Sequence, residues 1–188
     1  DISTITSGGV TQTVGGKLTV GTLRSTEGVI GSVGLTSVLN EVGAVGGFSV
    51  SDAVQSFTLV NAADVNLAIT GPLQAGQDII LTTSGTAGTT TTGAIQAGRT
   101  LAVSAGAGGI DFGANVKAAT LNLNTTDAGN VSQSAGAITA STLRSTVGIA
   151  GDVSLSGATN EISTISALTA GNILKVANNR ALALAGIV

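Results

Sequence analysis

The sequence contains no cysteine, histidine, tryptophan, tyrosine or methionine. Without cysteine the chain has no disulfide framework and no thiolate metal ligand. Without histidine it also lacks the imidazole bases of catalytic triads and the commonest metal ligand. The sequence therefore predicts no enzyme, no catalytic residue, no metal site and no cofactor.

Charge is scarce as well, since 9% of the residues are charged and the formal net charge is −3. A basic footprint for nucleic acid is absent, so no nucleic-acid partner is expected. No run of apolar residues approaches the length of about 18 that a transmembrane helix needs, and no membrane insertion is expected. The first residues, Asp1-Ile2-Ser3, carry neither an initiator methionine nor a basic leader. This beginning predicts a processed form or an internal piece of a larger protein.

Small and aliphatic residues make up most of what is present. Only three aromatic residues occur, all phenylalanine, beside 28 glycines. The mean hydropathy is +0.50, the opposite of the disordered signature. Such a chain must form a core from Val, Ile, Leu and Ala, which suits thin layers stacked closely on one another.

A long internal duplication is visible. Residues 10–28 (VTQTVGGKLTVGTLRSTEG) match residues 131–148 (VSQSAGAITASTLRSTVG) with one insertion, and the match continues at an offset of 120 residues. We interpret residues 1–188 as one segment of a larger repeat protein, in which 10–45 is duplicated as 131–165.

A finer repeat lies inside the duplication. Similar units begin at Leu73, Ile95, Val116 and Ile138, at steps of 22, 21 and 22 residues. Within each unit apolar residues alternate with polar ones, as strands with one buried face do, and Gly, Asn, Asp, Ser and Thr separate the strands. Units of this length bury their apolar faces only against neighbouring copies. The sequence predicts an all-β, right-handed parallel β-helix of roughly nine coils of about 20 residues.

The units that end in alternating aliphatic residues after a Gly-rich turn include GGKLTV, AATLNLN, GDVSLSG and NRALALAG. They resemble the β-helical repeats of filamentous-haemagglutinin-type exoproteins, the secreted partners of two-partner secretion systems, and those of autotransporter passenger domains. The resemblance covers nearly the whole chain. The chain lacks the Asn-Pro-Asn-Gly type motif of that family's secretion domain, so the resemblance implies a piece of the central shaft. It also implies a right-handed coil, export to the bacterial cell surface, and a role in adhesion or biofilm.

Carboxylates are the remaining candidates for chemistry, because many parallel β-helices are polysaccharide lyases or hydrolases that use clustered acids. The ten acids never occur as adjacent pairs, which favours solvated turn residues. They are Asp1, Glu27, Glu41, Asp52, Asp64, Asp78, Asp111, Asp127, Asp152 and Glu161.

Several recurring residues allow two interpretations. The segment Gly108–Gly113 has a faint likeness to a calcium-binding Gly-Gly-x-Gly-x-Asp turn, but a plain Gly-rich corner is favoured. Asn40-Glu41 and Asn160-Glu161 are expected at the same place on two equivalent coils, with asparagine bonding to the backbone of a turn. Arg24 and Arg144 are expected on one exposed edge.

The chain also contains a threonine cluster and two asparagine sequons. Thr89–Thr92, with Thr82 and Thr83, would suit an ice-binding array only if every coil supplied threonine at that place, and the other units do not. The glycosylation sequons at Asn124 and Asn130 are expected to be incidental in a bacterial protein.

Two functions from different classes remain open. The first is a structural or adhesive shaft at the bacterial cell surface or outside the cell. It would associate with flanking repeats of the same chain or with further copies by end-to-end stacking of coils. The alternative is a carbohydrate-binding or polysaccharide-degrading module on the same scaffold, with cell-surface glycans as partners.

Overall fold

The structure is a computed structural model that describes residues 1–186 of the chain. In this part every strand pairs in parallel with its neighbours, and no helix occurs. One ladder of strands passes through Val10, Val33, Phe57, Ile79, Leu101, Leu121, Leu143, Ile165 and Leu184. The fold is a parallel β-solenoid of about eight turns with about 22 residues between equivalent positions, where the sequence predicted nine coils of about 20. The handedness stays a prediction.

Two sheets run along the solenoid. Sheet A has twelve strands: β1 (Val10–Thr11), β3 (Val33–Leu35), β5 (Phe48–Val50), β6 (Phe57–Ala63), β8 (Leu73–Ala75), β9 (Ile79–Ser84), β11 (Ile95–Ala97), β12 (Thr100–Ala105), β14 (Val116–Thr125), β16 (Ile138–Arg144), β18 (Glu161–Ser166) and β20 (Ala183–Ala185). Sheet B has eight: β2 (Thr19–Leu23), β4 (Glu41–Val45), β7 (Leu67–Ile69), β10 (Gly88–Thr91), β13 (Gly109–Phe112), β15 (Val131–Gln133), β17 (Val153–Leu155) and β19 (Leu174–Val176).

The core consists of rows of like side chains, one from each coil. Because side chains alternate along a strand, every second residue points inward and stacks on its counterpart in the next coil. One such row is Leu35, Leu59 and Leu81, all buried. Each buried aliphatic side chain stabilises the fold by about 1.5–3 kcal/mol. Phe48 and Phe57 meet edge to face inside the solenoid, with ring centroids 5.0 Å apart.

Short polar side chains at one corner add a second link between coils. The Ser32 hydroxyl accepts a hydrogen bond from the Ser56 N–H, the Ser56 hydroxyl from the Asp78 N–H, and the Asp78 carboxylate from the Thr100 N–H, at 3.1–3.2 Å. These residues are 22–24 positions apart, so each side chain contacts the next coil. The row satisfies backbone donors where the strands end.

The duplicated segments lie on different sheets. Leu23 belongs to β2 in sheet B, whereas its counterpart Leu143 belongs to β16 in sheet A. Their local pairing is the same, since Thr19 pairs with Glu41 as Thr139 pairs with Glu161. An offset of 120 residues is about five and a half coils of 22 residues, so the second copy begins half a coil further round the solenoid.

Several strands of sheet A are followed by a residue with positive φ. Asp64 follows β6, Gly85 follows β9, Ala167 follows β18 and Gly186 follows β20, with φ between 48° and 89°. This region is costly for residues with a Cβ and open to glycine. The chain tolerates the non-glycine residues because the coils above and below fix the corner.

We expect Ala167→Gly to raise the free energy of unfolding by about 1 kcal/mol, because glycine adopts the φ of 48° at this corner without the clash of a Cβ. Urea denaturation of the purified chain measures the change. Ala102→Gly, on the outer face of β12, is the matched control and should lose about 0.5–1 kcal/mol. Equal losses in both variants would contradict the corner assignment.

Candidate functional site

The acidic side chains are dispersed over the solenoid. No group of three or more Asp or Glu residues within 1–186 lies close enough together to hold a metal ion. Several carboxylates, among them Asp78, Asp64 and Asp111, accept hydrogen bonds from the protein itself.

The Asp78 carboxylate bonds to two residues of the following coil. It accepts hydrogen bonds from Arg99 Nε at 2.9 Å and from the Thr100 N–H at 3.1 Å, and it forms an ion pair with Arg99 Nη2. The hydrogen bond from Arg99 is the largest cause that lowers the pKa of the Asp78 carboxyl below its ordinary value. Asp78 thus stays ionised and joins two coils.

Glu41 and Asp64 show the same behaviour at more exposed positions. Lys17 Nζ lies 2.7 Å from the Glu41 carboxylate, and this hydrogen bond lowers the pKa of Glu41. The Thr86 N–H and hydroxyl donate to Asp64 at 2.6 and 2.9 Å and lower its pKa. Exposed pairs of this kind contribute little to stability.

Asp111 lies within a strand. The expected Gly-rich corner is confined to the turn at 107–108 and to Gly109, whose φ is 72°, because Gly109–Phe112 forms β13. The side chain points outward from sheet B, and its two carboxylate oxygens accept hydrogen bonds from the hydroxyls of Ser132 and Ser134, each at 2.7 Å. Both serines belong to the next coil, so Asp111 also links two coils.

Two amide side chains bond to each other in each copy of the duplication. In the first copy Gln12 Nε2 donates to Asn40 Oδ1 at 2.6 Å, and Asn40 Nδ2 donates back to Gln12 Oε1 at 3.0 Å. In the second copy Gln133 and Asn160 exchange the same two hydrogen bonds at 2.9 and 2.8 Å. Both asparagines are fully buried. We call these the amide pairs.

Each buried asparagine also bonds to the backbone of neighbouring coils. Asn40 Oδ1 accepts from the Leu18 N–H, and Asn160 Oδ1 accepts from the Ile138 N–H. On the other side, Asn160 Nδ2 donates to the Ala177 carbonyl. The expectation that these asparagines bond to backbone is confirmed. They make the same contacts in both copies, but on opposite sheets rather than at one place on equivalent coils.

One further asparagine per copy completes the motif. The amide of Asn61 accepts from the Val42 N–H and donates to the Val42 carbonyl at 3.1 and 2.8 Å. Asn178 does the same with Ile162 at 2.7 and 2.9 Å. The side-chain amide thereby takes the place of the backbone N–H and carbonyl groups that the next coil would otherwise offer to this residue.

Four members of this motif were not predicted from the sequence: Gln12, Gln133, Asn61 and Asn178. The two glutamines stand at matching places in VTQT and VSQS, so the duplication itself carried a signal for them. Asn61 and Asn178 are 117 residues apart instead of 120, and the repeat alignment does not join them.

The two repeated arginines do not share an edge. Arg24 directly follows β2 of sheet B, whereas Arg144 ends β16 of sheet A. The half-coil offset between the copies places them on different sides, so the expectation of one exposed edge is wrong. Arg24 lies 3.7 Å from the Asp1 carboxylate.

The threonine run is divided between core and surface. Thr89 and Thr91 point into the core, whereas Thr90 and Thr92 are exposed. The buried Thr83 and Thr89 hydroxyls are 3.4 Å apart. Alternation along the strand therefore prevents a flat array of consecutive threonines.

The sequon asparagines serve the fold. Asn124 is buried, and its Oδ1 accepts hydrogen bonds from the N–H groups of Thr146 and Val147. Asn130 Oδ1 accepts from the Asp152 N–H at 2.7 Å. Both asparagines hold the following coil in register.

A groove runs along the outer face of sheet A, parallel to the long axis. The section lined by Gly98, Ala119 and Ser141 has a volume of about 400 Å³. One wall, the rim row, is a ladder of outward side chains, one per coil: Ser49, Gln74, Gln96, Lys117, Thr139 and Glu161. Beside it lies the floor row of small residues: Ser51, Gly76, Gly98, Ala119, Ser141 and Ser163.

The groove follows from a bend in the chain. Gly98 lies between β11 and β12, and a Cβ there would come within 1.9 Å of the Gly76 carbonyl oxygen. Only glycine permits so close an approach of two coils at this bend. In β14 the bend is passed at Ala119, whose neighbours Ala118 and Thr120 pair with β16. Small residues at each bend leave the rim row standing above the floor row. We call this feature the sheet A groove.

No family model, curated protein or solved structure matches this chain. Among the described residues no helix is long and apolar enough to cross a membrane. The parallel β-solenoid is thus established by the structure of this chain alone.

We expect Asn160→Ala to lower the free energy of unfolding by about 2–4 kcal/mol, because it leaves the Ile138 N–H buried without a partner and removes two hydrogen bonds from the Gln133 amide. Chemical denaturation measures the loss. Asn179→Ala, an exposed change on the same segment, is the control and should stay within about 0.5 kcal/mol. A loss for Asn160→Ala no larger than the control's would contradict the role of the amide pair.

The Asp78–Arg99 pair should make stability depend on pH. Since the pKa of Asp78 is lower in the folded than in the unfolded chain, the pair's contribution is present above about pH 4 and is lost as the pH falls through the folded-state pKa. Urea midpoints measured from neutral to acidic pH should fall less steeply for Asp78→Asn than for the unchanged chain. Glu27→Gln, whose side chain makes no ion pair within the described residues, is the control. Identical acid profiles for Asp78→Asn and the unchanged chain would contradict this assignment.

Proposed function

We propose that this chain is a passive, non-enzymatic rod that forms part of the shaft of a large secreted bacterial surface protein. The observation that carries the proposal is the uninterrupted stacking of like aliphatic side chains from coil to coil. About eight turns at about 4.8 Å per turn give a rod roughly 40 Å long. Its function is reach, because a stiff rod holds a distant binding site away from the cell.

Links of three kinds support a stiff rod. Parallel backbone hydrogen bonds join every coil to the next, and the inward side chains form one continuous hydrophobic cluster. Polar side chains such as Asp78, Asn124 and Asn130 add hydrogen bonds about 22 residues further along the chain. Bending the rod would strain all three sets at once.

The family assignment rests on the repeats. A parallel β-solenoid is compatible with the β-helical repeat region of filamentous-haemagglutinin-type or autotransporter proteins, which the Gly-rich, alternating units resemble. We therefore place the rod outside the cell or at the cell surface, with a role in adhesion or biofilm. The acids support a passive role, because Asp78, Asp111 and Asp64 are engaged in links between coils.

The ends of the rod offer surfaces for longer assemblies. The last strand of sheet A, β20, pairs with β18 on one side, and Leu184 within it is 68% exposed. Unpaired backbone groups at such an edge accept another strand. Flanking coils of the same protein or end-to-end contact with another copy would cover this edge.

We expect the rod to become shorter by one coil when the residues of one whole coil are deleted. Deleting residues 95–115 joins Ala94 to Val116, which pairs with Ile95 and takes its place above Leu73. The variant should stay folded and lose about 4.8 Å of length, as measured by small-angle X-ray scattering and negative-stain electron microscopy.

The control deletes residues 95–101, which is only part of a coil. Ala102, an outward residue of β12, then follows Ala94 in the inward place of Ile95, so the variant should unfold. Compact particles instead of rods would overturn the shaft proposal. The shaft proposal would also be overturned if the chain depolymerised a polysaccharide and Asp78→Asn abolished that activity.

A further inference from the structure

We propose that the sheet A groove binds a linear, uncharged polysaccharide along the long axis of the rod, with one sugar unit per coil. The inference goes beyond the shaft proposal and does not depend on it. It rests on the geometry and the free hydrogen-bonding groups of the groove.

The rim row differs from other polar rows on the rod in having no internal partners. Within residues 1–186 the side chains of Gln74, Gln96, Lys117, Thr139 and Glu161 make no hydrogen bond or ion pair to the protein. At another corner, by contrast, Asn115 accepts from the Ala137 N–H. The rim groups therefore remain available to a ligand.

The spacing of the rim row selects the kind of ligand. Its side chains repeat once per coil, about 4.8 Å apart, over about 24 Å from Ser49 to Glu161. A pyranose unit in an extended glycan has a similar length, so successive sugars meet successive rim side chains. An extended polypeptide advances about 3.3 Å per residue and would fall out of register within a few coils.

The chemistry of the groove favours hydroxyl-rich, uncharged chains. Gln74, Gln96 and Thr139 both donate and accept hydrogen bonds, as sugar hydroxyls do. Lys117 and Glu161 carry opposite charges, and Arg180 lies at one end. This mixture lacks the basic stripe that a polyanion or nucleic acid requires. Without an aromatic platform, each sugar contributes through hydrogen bonds alone, so a hexasaccharide should bind weakly, with a dissociation constant of about 0.1–1 mM.

The test is a titration of the ¹⁵N-labelled chain with cellohexaose, chitohexaose and mannohexaose, followed by amide chemical shifts. At least one of the three should shift amides of β8, β11, β14 and β16 and leave sheet B unchanged. A Ser/Thr peptide of similar length should leave the same amides unchanged. No shift with any hexasaccharide at about 10 mM would overturn the proposal. Shifts confined to sheet B, or equal shifts with the peptide, would overturn it too.

A variant that fills the groove gives an independent test. Ala119→Phe places a ring on the floor and should weaken hexasaccharide binding by at least about tenfold. Ala68→Phe makes the same change on the outer face of sheet B and should leave binding within about twofold. Gln96→Ala removes one rim amide and should weaken binding about fivefold.

Amide spectra that keep the dispersion of the unchanged chain show that each variant is folded. Equal binding by Ala119→Phe and Ala68→Phe would overturn the site. Hexasaccharide binding tests the groove, and the length of the coil-deletion variant tests the shaft. An absence of binding together with the expected shortening would therefore overturn this inference and leave the shaft proposal standing.

Discussion

Parallel hydrogen bonding between successive coils is the constraint on which the rest of the structure depends. It places each residue directly above its counterpart about 22 positions earlier, at a separation of about 4.8 Å. Like side chains then stack in rows, whether aliphatic as at Leu59 and Leu81 or polar as along the rim row. The core, the links at the corners and the groove are three consequences of the same register.

That register also creates demands that aliphatic residues cannot meet. Where a coil departs from its neighbour, backbone N–H and C=O groups are left buried, and each unpaired group costs about 1–3 kcal/mol. At Val42 and Ile162 a side-chain amide supplies both missing partners. The amide pairs hold the neighbouring turn in place, and both copies of the duplication make the same hydrogen bonds at this turn.

The faces of the rod differ in how far their polar groups are used. At the corners, Asp78 and Asn124 are engaged with the next coil and serve stiffness. Along the sheet A groove the polar side chains of the rim row face solvent and have no hydrogen-bonding partner within residues 1–186, and small residues at the bend line the floor. The proposed shaft and the proposed glycan-binding groove are thus compatible, because they depend on separate rows of residues.

The sequence by itself determined the fold class, because a repeat of 21–22 residues with alternating apolar positions has no other way to bury its apolar faces. It also determined that Asn40 and Asn160 would bond to backbone, since they stand at turns of a duplicated block.

Only the tertiary structure decided where each block lies around the rod. The position of a strand depends on the summed lengths of all preceding turns, and small differences accumulate until Leu23 and Leu143 occupy different sheets. The same applies to contacts across coils: Gln12 meets Asn40 28 residues later, and the rim row joins six separate coils. The alternation of inward and outward side chains depends on neighbouring residues, whereas the position of a strand around the solenoid depends on the whole chain before it.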